Sequence, residues 1–123
     1  MWPGEHKLYA KQGADFSETF QYLDNADEPI NLLGATIEAR IRRNVDDSAA
    51  AASFVCTVVD PDEAIFTLAM ADTVLDGLSL DAVPDGTFIA TDFVYDVEVT
   101  FLSGQKETLM EGLYRVKPQA SKA

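Results

Sequence analysis

The sequence predicts an all-β protein, an antiparallel, immunoglobulin-like sandwich of about seven short strands with one short helical turn. Turn-forming Gly, Pro, Asn and Asp residues recur along the whole chain, and the apolar residues between them alternate with period two. Such alternation indicates strands that are buried on one face. Hydrophobic residues make up 47% of the chain and charged residues 24%, which is typical of a globular domain. A chain of 123 residues is long enough for one such core and too short for two.

Two segments show the alternation most clearly. In residues 36–43, Ile, Ala and Ile alternate with Glu and Arg, and in residues 94–102, Tyr, Val, Val and Phe alternate with Asp, Glu and Thr. Weaker patterns predict strands at residues 15–23, 53–59 and 64–70. Gly104 and Gln105 separate residues 94–102 from a further predicted strand at 107–116. A short polar loop between two β-rich segments is typical of a hairpin, so the last two strands should pair.

The remaining segments are predicted to connect or flank these strands. Residues 71–78 have helical spacing, with Asp72 or Thr73 as a possible cap, and predict one short helical turn. The four alanines at 49–52 are too few for a helix and are interpreted as a flexible loop.

The predicted domain organisation is simple. Residues 1–12 form an N-terminal arm, residues 13–118 a single sandwich domain, and residues 119–123 a flexible tail that is small and polar.

The charge balance narrows the possible functions. There are 21 acidic and nine basic residues, for a net charge of −12, which repels nucleic acids and anionic membranes. The sequence also lacks a membrane-spanning stretch and a signal peptide, so we expect a protein made in the cytoplasm. The acidic surface either keeps the protein soluble or attracts a basic partner. Arg40, Arg42 and Arg43 lie within four positions and are predicted to face an acidic partner.

The search for chemistry finds no catalytic arrangement, and we expect neither an enzyme nor a bound cofactor or metal ion. His6 has no evident catalytic partner, and Cys56 lies among valines, where burial would raise its thiol pKa. Acidic residues cluster at several turns but match no calcium loop. The nearest approach to a cation site, residues 60–63, is explained by turn chemistry. Phosphate-binding, zinc-protease and serine-hydrolase motifs are absent.

Most aromatic residues fall at alternating strand positions, so they are predicted to fill the core. Trp2 has no strand to belong to, and it either folds back onto the sandwich or inserts into a neighbouring subunit. We predict a partner-binding set that combines the arms with the arginines. Its members are Trp2, Tyr9, Arg40, Arg42, Arg43 and Lys117.

The order of four motifs carries a resemblance to a known family. The motifs are GADF, EPINLLGATIEARIRR, AIFTLAMADTVLDGL and FVYDVEVTFLSGQKETLMEGLYRVKP. Together they span residues 12–118, and they resemble small tail and baseplate accessory proteins of tailed bacteriophages, some of which are adaptors for receptor-binding fibres. The matched positions are Pro29, Ile30, Leu32, Gly34, Thr73, Leu75, Tyr95, Asp96, Val97, Glu98 and Gly112.

The resemblance implies a non-enzymatic virion protein of the tail, baseplate or neck region. It would dock tail, baseplate or fibre components and be present in multiple copies in a symmetric assembly. Deleting residues 1–8 is expected to leave the fold intact but to abolish incorporation into particles.

Two other functions remain open from the residues alone. A carbohydrate-binding β-sandwich module would have exposed aromatic residues lining a groove, and a small hydrolase would have a carboxylate pair in a deep pocket.

Overall fold

The computed structural model describes residues 7–44, 47 and 49–119. In this part of the chain there are eight strands and one short helix. The elements are β1 Leu8–Lys11, β2 Phe16–Gln21, β3 Thr36–Arg42, β4 Ala52–Ser53, β5 Val55–Asp60, β6 Ile65–Met70, α1 Asp72–Asp76, β7 Thr91–Thr100 and β8 Lys106–Lys117. No helix among these residues is long and apolar enough to cross a membrane.

The strands form two sheets. One has five strands in the order β1-β8-β7-β3-β4, and the other has three in the order β2-β6-β5. One sheet contains the second, sixth and fifth strands and the other contains the third, seventh and eighth, which is the strand arrangement of an immunoglobulin-like sandwich. The predicted fold class is therefore confirmed, with eight strands in the described residues where about seven were expected.

Alternation of side chains explains β3 and β7, the two strands that the sequence predicts most clearly. On β3, Ile37, Ala39 and Ile41 are buried, while the residues between them lie on the outer face of the five-stranded sheet. Strand β7 alternates in the same way and pairs antiparallel with β3 along seven residues of each strand. Each strand therefore contributes one apolar row to the space between the sheets.

The hairpin between β7 and β8 is confirmed, and it contains an irregularity that the pattern did not predict. Gly104 has a φ of 94°, a left-handed conformation that glycine adopts without steric cost, and its N–H donates to Phe101 O. Further along, the register shifts between Val97 and Glu98, where one extra residue is inserted in β8. This bulge allows two consecutive residues, Leu109 and Met110, to be buried.

Aromatic rings join the two sheets at the centre of the core. Phe16 of β2 and Phe54, between β4 and β5, contact the Tyr114 ring edge-on, with ring centroids 5.2 and 5.1 Å away. The Tyr114 hydroxyl lies 3.7 Å from Met70 Sδ. Burial raises the pKa of Tyr114, because the charged phenolate would lose its hydration. The core therefore depends on rings contributed by both sheets.

The predicted arm at residues 1–12 needs correction at its inner end. Residues Leu8–Lys11 form β1 at the edge of the larger sheet, and Leu8 is fully buried. Four residues are too few to show a periodicity, so the strand is recognised only from its pairing with β8. This pairing is parallel, whereas the sequence predicted an antiparallel protein. Residues 1–6 of the predicted arm lie outside the described residues.

Three smaller predictions also differ from the structure. Ala52 belongs to β4, so the predicted alanine loop ends one residue earlier, and the strand predicted at 53–59 is interrupted at Phe54. The helical turn is confirmed as α1, but its N-cap is Ala71, which makes no side-chain cap bond. The Asp72 N–H is instead satisfied by Asp15 Oδ1 at 2.8 Å, a contact between residues 57 positions apart.

Candidate docking surfaces

The three arginines of the predicted binding set do not form one group. Arg40 and Arg42 lie on the outer face of the five-stranded sheet, because they alternate with the buried residues of β3. Arg43 follows the end of β3, and its guanidinium lies 5.2 Å from the Phe93 ring centroid. The three arginines are therefore close in sequence, but β3 ends at Arg42, and Arg43 is separated from Arg40 and Arg42 in the structure.

Each of these arginines has an acidic partner within the chain. Arg40 Nη2 lies 2.8 Å from Glu38 Oε2, and Arg42 Nη1 lies 3.7 Å from Asp96 Oδ2. Exposed ion pairs of this kind contribute little to stability, so they can exchange partners at low cost.

Arg43 is held more firmly than the other two arginines. Its Nη2 donates to Asp81 Oδ1 at 2.8 Å and its Nη1 donates to Asp92 O at 3.2 Å. These bonds join the end of β3 to the start of β7 and to the segment before it. Arg43 therefore holds the end of β3 against the start of β7, and it is less available to a partner than Arg40 or Arg42.

The edge formed by β1 and β8 brings together Tyr9 and Lys117 of the predicted set. In the parallel register Tyr9 is opposite Arg115, and Lys11 is opposite Lys117. Tyr9 is 60% exposed, and Lys7 Nζ lies 5.6 Å from its ring centroid. An exposed aromatic ring therefore lies within a row of cations.

The backbone of β1 leaves this edge open. Gln12 N–H donates to Lys117 O at 2.9 Å, so the N–H groups of every second residue before it face β8. The N–H groups of Tyr9 and Lys11 therefore point away from the sheet, where a further strand could accept from them.

The charge of this edge is opposite to that of the whole chain. Four of the nine basic residues lie there, in a protein with a net charge of −12. Arg115 is bound by Asp92, with Nε to Oδ1 at 2.8 Å and Nη2 to Oδ2 at 3.1 Å. Lys11 and Lys117 form no ion pair with another described residue, and both side chains are exposed. Two lysines are therefore available to an acidic partner.

A second exposed feature is the hairpin of residues 81–90, which precedes β7. Its arms are joined by bonds from Val83 N–H to Thr87 O and from Ile89 N–H to Asp81 O, each 2.9 Å long. All ten residues are exposed, including Val83, Phe88 and Ile89 at 38, 39 and 42%. The turn predicted at 84–86 forms the tip of this hairpin. The hairpin is thus ordered by its own bonds and presents apolar side chains outward.

The residues considered for catalysis occupy ordinary structural positions. Cys56 is half-buried, and this desolvation raises its thiol pKa to about 11, which keeps the thiol protonated at neutral pH. Asp60 Oδ1 accepts the N–H groups of Asp62 and Glu63, as expected for a turn. Among the described residues, no group of three or more His, Cys, Asp or Glu side chains could hold a metal ion. Trp2 and His6 lie outside the residues that the structure describes.

Sequence reasoning missed two parts of these surfaces. The sequence places Lys11 in an arm, whereas the structure places it opposite Lys117, where it adds a second positive charge to the open edge. The sequence predicts the turn at 84–86 but gives no sign of the apolar side chains that the 81–90 hairpin exposes. The clustering of Lys7 and Lys11 around Tyr9 is the signal that could have identified the edge from sequence.

Comparison with known proteins assigns this chain to no family. No family model matches the chain, and no curated protein does. Among solved structures, murine CRIg aligns over 92% of each chain with 11% sequence identity and a TM-score of 0.41.

Proposed function

We propose that this chain is a non-enzymatic docking module, a structural protein of the tail, baseplate or neck region of a tailed bacteriophage. It is located in the virion and is present there in several copies. Its partners are other virion proteins, such as tail fibres, and neither nucleic acid nor membrane. The motif order supports the phage assignment, and the geometry of the β1–β8 edge supports the docking role.

The observation that carries the docking role is that both ends of the described chain meet at this edge. Strand β1 begins at Leu8 and β8 ends at Lys117, and the two strands run side by side in parallel. Their ends are therefore only about 10 Å apart, three residues at the rise of a strand. The described residues that lead into the predicted arm and tail, Lys7 and Pro118, both lie at this edge, next to Tyr9, Lys11 and Lys117. One partner could therefore contact the arm, the tail and the lysines together.

Charge indicates the chemistry of that partner. A protein of net charge −12 is repelled by most acidic proteins, so a local basic patch determines where an acidic partner can approach. Lys11 and Lys117 supply two such charges, and Tyr9 supplies an aromatic anchor of the kind enriched in interfaces. The Arg40 and Arg42 side chains extend the same outer face and can contribute by exchanging their acidic partners.

The carbohydrate-binding alternative has weaker support in this geometry. Such a module lines one groove with several exposed aromatic rings. Tyr9 and Phe88, two exposed aromatic residues of the described chain, line separate shallow depressions.

Reversing one charge at the edge tests the docking role. We expect Lys117→Glu to reduce incorporation into purified particles by at least about fivefold, because an acidic partner would then meet a carboxylate. The measurement is quantitative immunoblotting of particles assembled with the variant in place of the wild-type chain. Lys106→Glu is the matched control, since Lys106 lies at the other end of the same strand and is also exposed. Equal incorporation of the two variants would contradict docking through this edge.

A further inference from the structure

Edge strands expose unpaired backbone groups, and proteins usually protect them. In the described part of the chain, the edge strands are β1 and β4 in one sheet and β2 and β5 in the other. Three of them carry a feature that opposes pairing with a second copy of this chain. Strand β1 has only four residues, with Lys7 before it and Lys11 at its end, so its lysines would repel those of another β1, and β4 has only two residues.

Strand β2 is protected by a charge that points inward. Glu18 is opposite Leu68, which is fully buried, so both side chains lie on the inner face of the smaller sheet. An inward charge on an edge strand opposes pairing with a further strand, which would bury it more deeply.

Strand β5 has no comparable protection along most of its length. Residues 55–59 contain no charged residue and no proline, and Val55 and Val59 are 67 and 58% exposed. A bulge follows Val58, and Asp60 and Pro61 end the strand. The flat, uncharged part of this edge is therefore the segment from Val55 to Val58, which is rich in β-branched residues.

We propose that β5 pairs antiparallel with β5 of a second copy of this chain. The two three-stranded sheets then form one continuous six-stranded sheet. The occupant is a second copy because the segment is self-complementary. Antiparallel pairing centred on Thr57 places Thr57 opposite Thr57 of the other copy and Cys56 opposite Val58, so no charged residue faces another within the segment, in the symmetric arrangement that is commonest among oligomers.

Electrostatics favours this edge over the others for contact between two copies. Each copy carries a net charge of −12, so an interface between them requires a surface without opposed carboxylates. In the proposed pairing the two Asp60 side chains lie at opposite ends of the interface, about 20 Å apart at the rise of a strand. This is more than two Debye lengths at physiological ionic strength, about 8 Å each. The remaining charge repels at longer range, so the dimer should strengthen as salt is added.

A charge introduced at the centre of this edge tests the proposal. Thr57 and Thr19 are both opposite Thr67 of the central strand, on the outer face of the same sheet. Thr57 lies on β5 and Thr19 on the opposite edge. Thr57→Lys should therefore place two lysines next to each other in the dimer, whereas Thr19→Lys should leave the dimer unchanged.

Sedimentation equilibrium of the full chain over a range of protein and salt concentrations is the measurement. We expect wild type and Thr19→Lys to approach twice the monomer mass, more so at high salt, and Thr57→Lys to weaken dimerisation by at least about tenfold. Cooperative thermal unfolding of both variants would show that both fold. A monomeric wild type at all concentrations, or equal weakening by both variants, would overturn the proposal. The proposal would also fail if wild type were monomeric and Thr57→Lys no longer entered particles, because the β5 edge would then bind another protein. The dimerisation test does not depend on whether the β1–β8 edge docks a partner.

Discussion

At the scale of single residues, Asp92 joins three parts of the molecule. Its carboxylate accepts two hydrogen bonds from Arg115 of β8, and its backbone oxygen accepts one from Arg43 after β3. The Arg115 hydrogen bond is the main cause of a lowered pKa for the Asp92 carboxyl, because it favours the charged form. The pair is therefore intact at neutral pH and is sensitive to acid.

The lowered pKa gives a pH prediction with a defined sign. A carboxyl whose folded pKa lies below its unfolded value, about 3.9, stabilises the fold above that pH and loses this effect as the pH falls. We expect wild type to be slightly more stable than Asp92→Asn at neutral pH and the difference to shrink as the pH falls below the unfolded pKa and through the lower folded pKa. Denaturant unfolding of both proteins across this range measures it. Comparing the two cancels the effect of the other acidic residues, and a difference that grows in acid would contradict the assignment.

At the scale of elements, the 81–90 hairpin is anchored to the sandwich by Thr91. This residue is 1% exposed, its Oγ1 accepts from Asp81 N–H at 2.8 Å, and it donates to Ile89 O at 3.0 Å. Both partners are at the base of the hairpin. A single hydroxyl therefore closes the hairpin where it joins β7.

Removing that hydroxyl should loosen the hairpin. Thr91→Val keeps the shape of the side chain but leaves the Asp81 N–H and Ile89 O without their partner, at a cost of about 1–3 kcal/mol. We expect lower unfolding free energy by denaturant titration and faster hydrogen exchange at the Asp81 amide. Thr91→Ser, which retains both bonds, is the control. If the two variants exchange at the same rate, the hydroxyl does not anchor the hairpin.

A second element, α1, is positioned by a contact of the same kind. The buried Gln12 side chain donates to Leu75 O at 2.8 Å and to Leu78 O at 3.2 Å, at the C-terminal end of the helix. Carbonyl groups at a helix end have few donors available, and the amide adds a second donor to Leu75 O, which also accepts from the Leu78 N–H at 3.1 Å. The end of β1 and α1 are thereby joined, although they are more than 60 positions apart in sequence.

At the scale of the whole molecule, the N-terminal boundary of the folded domain decides which truncations test docking. Leu8 is fully buried beside Tyr114, so the deletion of residues 1–8 expected from sequence to spare the fold would remove part of the core. Losing a buried leucine costs about 2–5 kcal/mol. We therefore expect deletion of residues 1–6 to preserve the unfolding midpoint and deletion of residues 1–8 to lower it clearly, as measured by thermal unfolding.

The shorter deletion then separates folding from assembly. If the arm docks, the chain without residues 1–6 should fold normally and fail to enter particles. An unchanged midpoint in the longer deletion would contradict the role of Leu8, and normal incorporation of the shorter one would contradict docking by the arm.

Local pattern was sufficient for the sandwich and for most of its strands. The alternation in β3 and β7 depends only on neighbouring residues, because a strand exposes and buries successive side chains in turn. The turns at 84–86 and 104–105 were predicted for a similarly local reason, the backbone freedom of Gly and the turn preference of Pro and Asp. The local residue pattern was therefore enough to predict these strands and turns.

Tertiary structure alone decided which strands and side chains lie next to one another. The parallel pairing of β1 with β8, the separation of Arg43 from the other arginines, and the open edges at β1 and β5 all depend on which distant strands lie side by side. Pairings of this kind join residues up to about a hundred positions apart, and their register is set by packing of the whole core, which no local pattern contains. The sequence determined what each strand buries, whereas only the folded chain determined which surface remained available for another protein.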